Sequence, residues 1–455
     1  MLAAAAGGIV AAHIFLRIAC RKEVLILMSK FFQHSVGEPG RQNTGMPVAE
    51  AKASQDLRIL VILSALMSFS SIATDMYLPA LPTLVHDLHA GIGLVELTIS
   101  SFLIGFSLGQ LLWGPIGDRI GRRLPIAVGL VLFVLGSAGC ALSSTITQML
   151  CWRVLQAVGA CAGPVLARAM VRDLYARERS AQMLSVLMLM MAVAPLLGPL
   201  IGSQVLAVWS WRGIFWILVG LGLLALGALW ILPETLSPSR RSTESLGITL
   251  RNYLALARDP KLLVYAVSGG FYYGGCYAFI AGTPFAYVDY YHVSPRIYSL
   301  LFGINIIGVM GFNFLNTRLV MRLGSERLFR FGVCIAALSG LVLAINAHFG
   351  WGGIFGLAIP IFCFMSVSGF IVANSVASAL AAFPKQAGTA SSLVGAMHYG
   401  SGVLSAAMLG WFADGTPGPM GWIVGAAGIG CLVTAWFQTW GRRAPDPALA
   451  LCRHE

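Results

Sequence analysis

Apolar runs of about 20 residues recur along this chain, and that is the length an α-helix needs to cross about 30 Å of hydrocarbon. They fall near 58–83, 94–116, 124–143, 147–171, 183–207, 213–233, 262–288, 298–322, 328–347, 353–379, 388–412 and 420–440. Inside a bilayer the backbone has no water to bond, so such runs fold as helices that satisfy their own N–H and C=O groups. The expected fold class is therefore an all-α integral membrane protein with twelve transmembrane helices. Only 11% of the 455 residues are charged, against about 25% in a soluble domain, so little of the chain is left to build a water-exposed body.

The sparse charge reads as topology. Of 30 Lys and Arg, only Arg212 and Arg296 fall on one face of the predicted bundle and Arg153 falls inside a helix; the other 27 share the opposite face. The positive-inside bias then puts both termini in the cytoplasm. A net charge of +12 scattered over short loops gives no continuous basic face, so the expected partner is the lipid bilayer and no nucleic acid. Nine cysteines without paired spacing read as small apolar fillers, and neither a metal nor a cofactor is expected.

Five segments follow: an N-terminal extension (1–57), a six-helix bundle (58–233), a polar linker (234–261), a second six-helix bundle (262–440) and a tail (441–455). In the extension, the apolar stretch 3–16 is too short to span and lacks the leading positive charge of a secretory signal, so Met28 or Met46 is a candidate true start. The two bundles read as pseudo-symmetric halves of one monomeric carrier with its site between them. Met321-Arg322-Leu323-Gly324 follows the eighth run where Asp118-Arg119-Ile120-Gly121 follows the second, a weak internal echo.

Several residues carry candidate chemistry. The loop Gly114-Pro-Ile-Gly-Asp118-Arg119-Ile-Gly121-Arg122-Arg123 joins the second and third runs; its glycines allow a tight turn, its arginines resist entering lipid, and Asp118 can tie helix ends together. Side chains able to hold charge within the runs are few: Asp75, Arg153 and His398, with Arg168 near an end. Asp75 precedes Pro79 and Pro82, which open the first helix; it handles a proton or the substrate, or it is an interfacial acid or a structural partner for another polar group. Arg153, followed by Gln156 and Gly159, either tunes a carboxyl or snorkels to an interface. Pro195, Gly198, Pro199 and Gly202 give the fifth run close-packing and bending faces. Tyr77, Tyr273, Tyr277, Asn305, Asn313, Asn374 and His398 are candidates to line a substrate cavity together with Gln156; the alternative for Tyr273 and Tyr277 is an interfacial aromatic belt, and for the asparagines and His398 a helix-to-helix hydrogen bond, the more common role of each alone.

These phrases together resemble one known family. The loop at 114–123 resembles the loop signature of the major facilitator superfamily, and Asp75-Met-Tyr-Leu-Pro-Ala-Leu-Pro82, Met170-Val-Arg-Asp-Leu-Tyr175, Leu232-Pro-Glu-Thr-Leu236 and Phe383-Pro-Lys-Gln-Ala-Gly-Thr-Ala-Ser-Ser-Leu393 occur in the order of its Bcr/CflA drug-resistance subfamily. The resemblance covers about residues 58–440. It implies a drug:proton antiporter of a bacterial inner membrane, typified by transporters of bicyclomycin, sulfonamides and chloramphenicol. It also implies that Arg153 tunes a nearby carboxyl and that 194–202 is an antiporter motif, departing from the family pattern at Ala194 and Ser203. The rival reading is a proton-coupled uptake symporter for a small metabolite. An enzyme is not expected, because the chain has no phosphate-binding Gly-x-x-x-x-Gly-Lys-Ser/Thr motif, metal-ligand spacing or nucleophile–base arrangement.

Overall fold

A helix occupies each of the twelve predicted runs in the computed structural model, which describes residues 46–441 except 176, 244–245, 382 and 384–385. The expectations placed on residues 1–45 and 442–455 lie outside these. The first half comprises α1 (Met46–Asp75), the short α2 (Leu81–Asp87), α3 (Ile92–Ile120), α4 (Arg123–Leu142), α5 (Ile146–Leu174), α6 (Arg177–Val208) and α7 (Trp211–Ala228). The linker carries α8 (Leu246–Leu256). The second half comprises α9 (Pro260–Pro284), α10 (Pro295–Leu323), α11 (Ser325–Phe349), α12 (Gly353–Ser366), α13 (Asn374–Ala381), α14 (Ala387–Trp411) and α15 (Gly418–Gly441). Among the described residues, nine helical segments are long and apolar enough to cross a bilayer, and none of the secondary structure is strand. The other three predicted crossings are α6, α9 and α14, of 32, 25 and 25 residues.

Proline sets where the first crossing breaks. Pro79 has no N–H to return to the Asp75 carbonyl, so α1 stops at Asp75. A single 3-10 turn, Leu78–Ala80, follows before α2 restarts with Pro82 in its first turn, where a missing N–H costs nothing. The prolines of α6 act differently. That helix runs unbroken from Arg177 to Val208 through Pro195 and Pro199.

Residues from Leu60 onward form one compact unit. Within the first half α5 packs on α3 and α4; within the second, α15 packs on α9 and α11. Two helix pairs make most of the contact between the halves, α3 with α14 and α6 with α10. Exchanging the halves turns one pair into the other, as a pseudo-twofold demands. The α3–α14 seam runs from Gly93 against Gly410, through a Ser107 hydroxyl donating to the Ala396 carbonyl at 2.9 Å, to Gln110 against Gly395. On the other seam the Ser299 hydroxyl donates to the Pro199 carbonyl at 2.9 Å. The Gly93–Gly410 and Ser299–Pro199 contacts, together with those of α2 on the π-turn Phe285–Tyr290, close the bundle at the end remote from the Asp118 loop. The linker is anchored as well: Tyr253 and Leu256 of α8 are buried with Leu262, Ala266, Ala390 and Leu393 of the second half.

Candidate functional site

At one end of the bundle the loop residues form a latch. Gly121 adopts φ +103°, a conformation that glycine reaches without strain, and a Cβ there would sit 2.6 Å from the Glu234 carboxylate. That carboxylate accepts from the backbone N–H groups of Arg122 at 2.9 Å and Arg123 at 3.1 Å, which begin α4, and from Leu236 at 3.0 Å. Burial pushes the Glu234 carboxyl up, but these backbone donors outweigh it and hold the group below the ordinary carboxylate range. The Arg122 side chain is buried and bridges Asp118 at 2.6 Å and Asp173 at 2.9 Å. Burial weakens the guanidinium's hold on its proton, and its bonds to Asp173 and Asp118 more than restore it. Thr235 adds a hydroxyl to Asp173 at 3.2 Å. The latch thus ties the ends of α3, α4, α5 and α7 together. Arg123 stays outside it, with its guanidinium 5.4 Å from the Trp230 ring centre. Gly114 faces the second half near Ser392.

A second polar centre lies deep in the first half. Arg153 is fully buried, so it does not snorkel to an interface. Its Nη1 donates to the Ala73 carbonyl at 3.0 Å and to Gln156 Oε1 at 2.8 Å, and Gln156 in turn donates to Ser137 at 2.8 Å. The guanidinium lies 4.4 Å from the Tyr77 ring centre and 4.5 Å from that of Phe102, so faces of aromatic rings take the place of a counter-ion. Tyr77 is fixed by a hydrogen bond to Thr98.

Asp75 is 5% exposed and makes no ion pair or hydrogen bond through its side chain among the described residues. It sits at the break in α1, against α6: a Cβ on Gly198 would stand 2.9 Å from the Asp75 Cβ, and one on Gly202 would run into the Met76 carbonyl. The turn that follows Asp75, Leu78–Ala80, also contacts α9 and α10 of the second half.

An aromatic cluster spans the seam between the halves. Tyr399 of α14 stands 4.4 Å from Phe106 of α3, 5.8 Å from Tyr273 and 6.0 Å from Tyr277, while His398 stacks on Tyr273 at 4.7 Å. The predicted pair Tyr273 and Tyr277 therefore meets His398, and the cluster adds Phe106 and Tyr399, which the sequence reading passed over. The asparagines take no part in it. Asn305 donates back to Leu301 of its own helix and Asn374 bonds Asn316, while Asn313 packs against Gly369. A cavity of about 790 Å³ opens elsewhere, at the remote end of the second half between Tyr290, His348, Asp414 and Trp422, and none of the predicted site residues lines it.

Two acids beyond those singled out from the sequence belong to this picture. Asp173 of the latch is one. The other corrects the inventory of charge inside the runs: Glu96, near the start of α3, is 3% exposed and its Oε2 has no partner among the described residues. At the edge of an apolar run it reads as an interfacial acid, and only the packing of α3 reveals that it is buried.

A family model described as Major Facilitator Superfamily matches residues 63–406. The bicyclomycin resistance protein homolog of Haemophilus influenzae is 31% identical over 381 residues, covering 84% of this chain and 95% of that protein. The chloramphenicol resistance protein of Pseudomonas aeruginosa is 32% identical over 339 residues, covering 72% of this chain and 78% of that one. Among solved structures, a D-xylose-proton symporter superposes with a TM-score of 0.65 at 16% identity, over 84% of this chain and 96% of that one, a likeness of fold.

Proposed function

Because the chain belongs to the major facilitator superfamily, among its Bcr/CflA-type members, and is a transporter rather than an enzyme, we propose that it is a drug:proton antiporter. Its cargo is small amphipathic antibiotics such as bicyclomycin, sulfonamides or chloramphenicol, exported by alternating access across a bacterial inner membrane. The working unit is a monomer with halves at 58–233 and 262–440, both termini in the cytoplasm and the latch on that side. Asp75 carries the proton, and the aromatic cluster of Phe106, Tyr273, Tyr277 and Tyr399 holds the drug.

One observation carries this reading: a buried carboxyl with no partner among the described residues, at the break of α1 where α6 and the second half meet. An acid withdrawn from water without a counter-charge favours its neutral form, and hydration as the halves part lets it ionise. Proton occupancy is thereby tied to conformation. One proton crossing 100 mV supplies about 2.3 kcal/mol, which sustains roughly a 50-fold drug gradient.

The test is uphill drug transport in inverted membrane vesicles. Uncouplers are expected to abolish it, and ATP depletion under a maintained proton gradient is not. Asp75→Asn, fixed in the neutral state, is expected to bind drug yet fail to concentrate it. Proton-dependent uphill transport by Asp75→Asn would move the carrier elsewhere, and accumulation in the cell of a small metabolite with the proton gradient would favour the symporter.

A further inference from the structure

Glu96 occupies a place that the transport reading leaves without a role. On α3, Gly93, Glu96, Ser100, Leu103 and Ser107 follow one stripe at helical spacing. Gly93 meets Gly410 of α14, Leu103 and Tyr277 both lie against Gly402, and Ser107 bonds the Ala396 carbonyl. Glu96 therefore stands on the seam between the halves, inside the end that is closed here. Ser100, next on the stripe, is also buried with an unpartnered hydroxyl.

Among the described residues no charged group answers it. On α5, Arg153 is held through Nη1 by Ala73 and Gln156, and its Nε and Nη2, though without partners among the described residues, do not bond Glu96. On α2, Asp87 accepts from the Trp211 indole at 2.8 Å, and the other ionisable group there is His86. On α14, His398 and Tyr399 belong to the aromatic cluster, and Asp414 beyond its end accepts from Thr416. The end of α9 and the turn after it offer Tyr277, Tyr287 and Asp289, and none of them bonds Glu96. A carboxylate charge left in that seam would be desolvated with nothing to compensate it.

We propose that Glu96 is a second proton-binding site, which takes up a proton when this end of the bundle closes and releases it when the end opens. Closure presses α3 onto α14 and dries the carboxyl; parting them wets it. The proton comes from the aqueous phase at that end and returns to it, so Glu96 gates the cycle while Asp75 carries the proton across. This role rests on the alternating-access reading above for its place in the cycle. By linkage, acidification at that end shifts the population towards closure.

The test reads the gate directly, with no drug and no gradient. Spin labels at His89→Cys and Tyr290→Cys, two exposed positions flanking the closed end in opposite halves, report its opening in an otherwise cysteine-free protein in lipid nanodiscs. The closed-to-open ratio is expected to rise as pH falls from about 8 to about 5.5, by up to roughly tenfold per unit for each proton taken up. Glu96→Gln is expected to be mostly closed across the range and to lose one proton's share of that slope. Glu96→Asp is expected to keep the slope, and Glu96→Met to behave as Gln does, which covers poor insertion of the amide. A wild-type slope in both neutral variants would overturn the proposal, as would its loss in the Asp variant. The antiport reading stands or falls on vesicle transport instead, so the two outcomes are separable.

Discussion

The Arg153 guanidinium donates to the carbonyl of Ala73 at 3.0 Å. That carbonyl belongs to the last turn of α1, whose acceptors lose their helical donors because the helix stops at Asp75. A cation at a helix C-terminus also meets the negative end of its dipole. Arg153 therefore caps the broken end of α1, and no ion pair joins it to Asp75 among the described residues.

Arg153→Lys is accordingly not conservative here. Lysine keeps the charge but loses the planar face that lies over Tyr77 and Phe102 and the fork that reaches Ala73 and Gln156. A desolvated cation–π contact is worth about 2 kcal/mol, so the variant is expected to lose roughly that much stability and more than tenfold in transport rate. Thermal unfolding in detergent and vesicle efflux measure the two. Gln156→Ala, which removes one acceptor, is expected to show a smaller loss in the same direction.

The latch distinguishes two adjacent arginines. Arg122→Ala leaves Asp173 at the end of α5 without its cation, whereas Arg123 uses only its backbone N–H and rests over Trp230. Arg122→Ala is expected to slow transport at least tenfold with drug affinity little changed, and Arg123→Ala to stay within about twofold of wild type. Single-turnover and equilibrium-binding measurements separate rate from affinity.

Glu234 sets the acid limit of that latch. Its folded-state proton affinity is depressed, so its contribution is complete above the unfolded carboxylate value of about 4.3 and is lost as pH falls through the lower folded value. Detergent unfolding curves are expected to show a constant stability gap between wild type and Glu234→Gln from neutrality to about pH 5. Below that, wild type is expected to converge on Glu234→Gln.

The twelve crossings and the loop at 114–123 were legible because both are local patterns: run length is set by bilayer thickness, and the turn by glycines a few residues apart. The break after Asp75 was legible for the same reason, through Pro79 and Pro82. The distant partners of Arg122 were not, since Asp173 and Glu234 lie 51 and 112 residues along the chain. Arg153 could not be resolved between tuning and snorkelling because its partner is a backbone carbonyl, which has no residue signature. Tyr399 was hidden beside His398, the more conspicuous residue, and Glu96 by its position at the edge of an apolar run. The continuity of α6 through Pro195 and Pro199 was not legible, because neighbouring helices can satisfy the backbone groups that a proline frees within a bundle.

The aromatic seam makes a graded prediction. Tyr399 touches rings from both α3 and α9, so Tyr399→Ala removes a contact that bridges the halves. An aromatic pair is worth about 0.5–1.5 kcal/mol, and drug affinity is expected to fall roughly 2- to 12-fold. Tyr399→Phe keeps the ring and is expected to retain most of it. Equilibrium binding of a chloramphenicol- or sulfonamide-class probe to purified protein reads both. An unchanged affinity in the Ala variant would place the drug elsewhere in the bundle.

The contact between α6 and the break in α1 gives the sharpest test of how Asp75 is coupled to motion. Gly198 lies against the Asp75 Cβ and Gly202 against the Met76 carbonyl, so α1 and α6 approach with no room for a methyl group. Gly198→Ala must push the segment carrying Asp75 away from α6 by a few tenths of an ångström, and overpacking of this kind costs about 1–3 kcal/mol. Gly202→Ala is the more severe, because it meets backbone rather than a side-chain carbon. Both proteins are expected to insert, since a small change at a helix face leaves run length and loop charge untouched. Uphill transport is expected to fall several-fold for Gly198→Ala and further for Gly202→Ala. Gly220→Ala supplies the control: it adds the same methyl group where nothing lies within 4 Å, and is expected to transport as wild type does. If all three variants transport alike, close approach of α6 is not what holds Asp75 in its coupling position.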